Sequence, residues 1–130
     1  MAVQYPFVQN SSNAAKWNVG WSAWYQDYPA PSDFLNVLLG CNTIHPNSDA
    51  SPNIAEYCDK KIQAQIDQAE TMGQTPAAYA IWTQVDHEMT DAAPWVDMYN
   101  PKQIDFLSSN VTGYKWNPQW YILIDQLSLS

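Results

Sequence analysis

Four residues, Gly73-Gln74-Thr75-Pro76, set a helix stop beside a helix start, and this punctuation restricts what the middle of the chain can become. Glycine accepts the left-handed conformation that commonly ends a helix. Threonine accepts hydrogen bonds from the first amides of the next helix, and proline suits its first turn. Upstream, Asp59 is placed to cap a helix on which Ile62, Ile66 and Ala69 share one face. Downstream, Ala78, Trp82, Val85, Met89 and Ala92 recur at helical spacing and make one apolar stripe. The expectation is two antiparallel amphipathic helices joined by a short glycine turn.

Around this pair the sequence predicts shorter elements, for an α/β fold of two amphipathic helices plus short strands. Residues 3–13 read as a short helix or an irregular lead-in. Residues 16–24 place Trp17, Val19 and Trp21 at alternate positions, the period of a strand with one buried face. Residues 32–39 read as a short helix with Ser32 as its cap. Three strands are expected over 95–99, 103–107 and 120–127, interrupted at Asn100-Pro101 and Asn117-Pro118. At 130 residues the chain has the size of one domain with a modest core.

Charge and motifs exclude several kinds of chemistry. The net charge is −8, there is no arginine, and five lysines cannot build the basic stripe that phosphate neutralisation requires, so no nucleic-acid partner is expected. His87-Glu88 begins like a zincin helix, but Asp91 stands where the second histidine ligand belongs. No Gly-x-Ser-x-Gly elbow and no glycine-rich phosphate loop occurs, and no spacing singles out a glycosidase carboxylate pair. No enzyme activity, no cofactor and no metal site is therefore expected. The sequence as it stands shows no basic and apolar leader of the signal-peptide kind and no apolar run long enough to span a bilayer.

The run Trp24-Tyr25-Gln26-Asp27-Tyr28-Pro29-Ala30-Pro31-Ser32-Asp33-Phe34 sets Asp27 among aromatic rings and stiffens the backbone with two prolines. A carboxylate shielded by Trp24, Tyr25 and Tyr28 would attract an ammonium group strongly, because effective dielectric falls with burial. Aromatic faces add cation–π attraction of about 0.5–2 kcal/mol. The plainer alternative is that Asp27 caps the turn into the following helix and the rings are core.

The same run resembles the Trp-x-x-Asp-Tyr-x-x-Pro-x-x-Phe pattern of family 5 extracellular solute-binding proteins, the peptide-binding components of ABC importers. Ala93-Pro94-Trp95-Val96-Asp97-Met98-Tyr99-Asn100-Pro101-Lys102, then Gly113-Tyr114-Lys115-Trp116-Asn117-Pro118-Gln119-Trp120 and Leu123-Ile124-Asp125-Gln126-Leu127, resemble the C-terminal end of that family. The resemblance implies the C-terminal part of a two-lobed, type II periplasmic-binding-protein-like fold. Residues 1–107 would belong to the second ligand-binding lobe, and residues 108–130 would be a tail returning to the first, with the crossing near 107–111. It implies a peptide or other small solute as ligand, an ABC permease and the first lobe of the same protein as partners, and an extracytoplasmic location. By position, Asp27 would pair with the peptide α-amino group, while Trp24 and the backbone around Tyr25 and Gln26 would line the same wall. Tyr25 and Gln26 are bulkier than the small residues usual there, which bears on ligand size.

In an exported protein, Cys41 and Cys58, flanking a loop rich in Pro, Asn and Ser, are expected to form a disulfide; two buried thiols are the alternative. Two other readings of the chain stand beside the peptide-binding one. Its seven tryptophans would suit a carbohydrate-binding module stacking rings on sugars, and a structural remnant with no ligand of its own would need none of these features.

Overall fold

In the computed structural model, residues 4–130 are described, and the chain divides into two compact units, Met1–Val96 and Asp97–Ser130. The first unit is helical: α1 (Gln4–Gln9), α2 (Ser32–Leu39), α3 (Lys60–Thr71) and α4 (Pro76–Ala92), with 3-10 turns at Ser11–Lys16 and Cys41–Thr43. Residues 1–3 lie outside the described residues, so the expected lead-in is followed only from Gln4.

The helix punctuation acts as its chemistry dictates. The Asp59 carboxylate accepts from the amides of Lys61 and Ile62, and the Thr75 hydroxyl accepts from that of Ala78. Gly73 takes the left-handed conformation just beyond α3, at φ 61°. Two helices joined this tightly must run antiparallel, and the Lys61–Glu88 ion pair at 3.3 Å links the start of α3 to the far end of α4. Their stripes form the core: Ile62, Ile66 and Ala69 meet Ala78, Trp82, Val85 and Met89, and Leu38 and Leu39 of α2 close it. Ala92, expected on the same stripe, is exposed. Replacing a threonine cap leaves a helical amide without its partner, at about 1 kcal/mol. Thr75→Ala should therefore lower the denaturant midpoint of the helical circular-dichroism signal, whereas Thr75→Ser should stay near the parent.

Glu88 is more than a solvated helix residue. Its carboxylate accepts from the side-chain amides of Gln84 and Gln65 and from Lys61, which together hold it below the usual glutamate range despite partial desolvation. Burial, reinforced by the negative charges of Asp59 and Glu88, pushes the Tyr57 hydroxyl up.

Cys41 and Cys58 are joined by a disulfide with Cα atoms 4.6 Å apart. Inside the loop it closes, the buried Asn53 side chain donates to the carbonyls of Gly40 and Tyr57 and accepts from the Tyr57 amide. The outer edge of the loop grips the N-terminal segment: Asn10 Nδ2 donates to Asp49 at 2.6 Å, and the Asn47 amide donates to Ser11 Oγ at 2.8 Å.

Two expectations about strands need correction. Residues 17–26 form no strand; the backbone is extended at Trp17, but Val19 is 91% exposed and Trp21 55%. Alternation specified extended geometry, but a strand needs a neighbour for its ladder, and here side chains serve instead. Gln4 donates to the Trp21 carbonyl at 3.1 Å, and the Ala23 amide donates to the Tyr5 hydroxyl at 3.3 Å. Residues 95–107 likewise hold no strand, with Phe106 93% exposed.

The second unit instead carries two small antiparallel ladders. β1 (Val111–Thr112) pairs with β4 (Ser128–Leu129), and β2 (Trp116–Asn117) pairs with β3 (Tyr121–Ile122). The Asn117 side chain makes the β2–β3 turn by accepting from the amides of Gln119 and Trp120. Gly113, at φ 78°, lies where a Cβ would collide with the Gln126 carbonyl, so the approach to β4 requires glycine. Of the expected strand at 120–127 only β3 is strand, and Ile124–Gln126 is a 3-10 turn. Three main helices with minimal sheets therefore replace the more strand-rich α/β layout expected.

Candidate functional site

The Trp24–Asp27 turn is built backwards from α2. Pro31 stands at the N-cap of that helix and offers no side-chain acceptor, while Ser32, expected to cap it, lies inside the first turn. The prolines preset a tight entry: the Ala30 amide donates to the Tyr28 carbonyl at 2.9 Å, and the Asp33 amide donates to that of Ala30 at 3.1 Å. This entry sends the Asp33 side chain inward, where it is wholly buried. One carboxylate oxygen accepts from the Asp27 amide at 2.8 Å and the other from the Trp24 indole Nε1 at 3.4 Å.

The rings and carboxylate singled out from the sequence occupy the outer side of this turn. Trp24 and Tyr28 are each 39% exposed and Tyr25 65%, Gln26 is half-buried, and Asp27 is exposed. The structure thus places Trp24, Tyr25, Gln26 and Asp27 on one continuous segment that runs into the bend at 27–30, with exposed aromatic rings along it, but the buried carboxylate is Asp33 rather than Asp27. Ser32 Oγ donates to the Tyr28 hydroxyl at 3.2 Å, tying one of these rings to the helix start. Chemically, an exposed carboxylate in a segment that also carries exposed rings can attract a cation, and the rings can stack on a planar group.

Asp33 is the residue whose role the sequence reading missed. The signal available was its position: an aspartate in the first turn of a helix whose cap is proline has little capping to do, so its carboxylate is left for another donor.

Two hollows lie elsewhere. One of about 160 Å³ is bounded by Ala30, Pro31, Ser32, Ala69, Gly73 and Trp82. The other, about 490 Å³, belongs to the second unit, between Lys102, Asp105, Leu107, Tyr114 and Trp116. Asp105 there accepts from Gln103 and from the Tyr114 hydroxyl, and that bond raises the tyrosine's pKa. Neither hollow is lined by residues 24–27. Among the described residues no group of three or more His, Cys, Asp or Glu is placed to hold a metal ion, and no helix is long and apolar enough to cross a membrane.

Comparison with known proteins agrees with the resemblance read from the sequence. The chain is 26% identical over 96 residues to Di/tripeptide-binding protein 2 of Pseudomonas aeruginosa (strain UCBPP-PA14), a match that covers 74% of this chain and 17% of that protein. It is 25% identical over 107 residues to Di/tripeptide-binding protein 4 of the same strain, covering 82% of this chain and 19% of that protein. The chain thus spans less than a fifth of the length of either relative. No family profile and no solved structure matches it. Both relatives are named as binding proteins.

Proposed function

We propose that this chain is a ligand-contacting part of a solute-binding protein that captures short peptides outside the cytoplasm and delivers them to an ABC import permease. The observation that carries the reading is similarity to two di/tripeptide-binding proteins along 74% and 82% of this chain. The segment with its exposed carboxylate and exposed rings supports it. In this reading Asp27 pairs with the peptide α-amino group. Trp24 and the backbone of Tyr25 and Gln26 form the adjoining wall, and the bulk of Tyr25 and Gln26 limits the size of the first peptide side chain. Residues 1–107 belong to the second lobe and residues 108–130 return toward the first, whose closure over the ligand traps it by population shift. The Cys41–Cys58 bond accords with an oxidising compartment.

Exposed rings at Trp21, Trp24 and Tyr25 are also the observation that favours a sugar ligand. One titration separates the two. In a two-lobed protein containing this segment, dipeptides and tripeptides should change tryptophan emission saturably, Trp24→Phe should remove most of the change, and neutral oligosaccharides should have no effect. A response to oligosaccharides alone would overturn the peptide reading.

A further inference from the structure

We propose that Asp33 is the positioning residue of the candidate site: its buried carboxylate fixes the Trp24 indole and the Asp27 backbone together, and acts on a ligand only through them. The proposal rests on the amine-site reading of Trp24 and Asp27, but its geometry stands independently.

An aspartate at a helix N-cap gives its oxygens to helix amides, and one inside the first turn ordinarily lies near the free amides at the positive end of the helix. Both oxygens of Asp33 instead reach back along the chain, one to residue 24 and one to residue 27. A buried carboxylate is costly unless hydrogen-bonded. The only ion pair among the described residues is Lys61–Glu88, so the Asp33 charge is balanced by N–H dipoles and by the positive end of α2 rather than by a cation. The indole and the amide are thus held against a fixed negative centre that nothing in the α3–α4 core requires. That centre lies directly beneath the Asp27 backbone, so its field adds to that of the Asp27 carboxylate for a cation arriving from outside. Asp33 accordingly sets the direction of the Trp24 ring and the pose of Asp27, and biases the turn toward ammonium ligands over neutral ones.

The test is nitrogen-15 NMR on the 130-residue chain. In the parent protein the Asp27 amide and the Trp24 indole N–H should exchange with solvent at least about tenfold more slowly than the amide of Gln26, the scale set by one lost hydrogen bond. Asp33→Asn keeps one acceptor oxygen and so should release one of the two protons, and Asp33→Ala should release both. The affected resonance should move toward its unstructured position while the amides of Ile66 and Val85 keep their protection. Fast exchange of both protons in the parent overturns the proposal even if neither variant folds. Unchanged Asp27 and Trp24 signals in a folded variant overturn it too, as does loss of protection spread evenly through α3 and α4, which would make Asp33 a general stabiliser. If Asp27→Asn weakens binding of free and N-acetylated peptides equally, the amine-site reading falls, but these exchange rates do not change.

Discussion

Asp27→Asn, placed in a two-lobed protein that encloses its ligand, is expected to weaken binding of peptides with an unblocked α-amino group far more than binding of their N-acetylated counterparts. Only the unblocked peptide presents a cation, and the substitution removes the charge that would pair with it at almost constant shape. The magnitude depends on how dry the pair becomes. Asp27 is exposed in this chain, and an ion pair left in that setting contributes less than about 1 kcal/mol. Enclosed by an opposing lobe and by Trp24 and Tyr28, the same pair loses its water, and removing one partner costs about 3–5 kcal/mol, mostly because the remaining charge is left buried. Calorimetry with matched unblocked and acetylated dipeptides measures the difference directly. A loss of several hundredfold confined to the unblocked series supports the amine clamp. Equal losses in both series would leave Asp27 as a turn residue.

Removing the Cys41–Cys58 bond should cost about 2–5 kcal/mol of stability, and its effect should reach well beyond the loop it closes. The two cysteines are 17 residues apart in sequence, and opening a loop of that size returns about 3 kcal/mol of chain entropy to the unfolded state on the loop-closure estimate. The loop also holds other structure. Through Asp49 and Asn47 it grips Asn10 and Ser11, and through Gln4 and Tyr5 the N-terminal segment holds the backbone at Trp21 and Ala23, just before the candidate turn. Cys41→Ala/Cys58→Ala should therefore lower the unfolding midpoint, open residues 42–53 to protease, and broaden the Trp24 indole resonance while leaving the α3–α4 pair helical. Before reduction, the denatured protein should show no reactive thiol. A full count of two would refute the bond, and an unchanged midpoint in the double variant would refute its energetic role.

The resemblance to peptide-binding proteins was legible in the sequence because it was read from contiguous motifs, Trp24 to Phe34 among them, and contiguous patterns survive without coordinates. The role of Asp33 was not legible in the same stretch. Its partners are a side-chain nitrogen nine residues back and a backbone amide six back, and only the turn made by Pro29, Ala30 and Pro31 brings them to one carboxylate. The burial expected for Asp27 belonged to its neighbour for the same reason. Composition showed that a carboxylate lay among rings, but which aspartate faces inward is set by the rotation of α2.

The sequence by itself determined the α3–α4 pair, since caps, stops and apolar spacing act within one or two helical turns, where backbone geometry converts position into direction without help from distant residues. It also fixed the positions of Cys41 and Cys58, but their union depended on a fold that brings their Cα atoms to 4.6 Å. Strand pairing was decided only by tertiary structure. Residues 16–24 and 95–107 had strand-like composition but no neighbour to complete a ladder, whereas Val111–Thr112 found Ser128–Leu129 across an intervening hairpin. A helix closes its hydrogen bonds within its own segment, so local sequence can specify it; a strand closes them with another segment, and the whole chain selects which one.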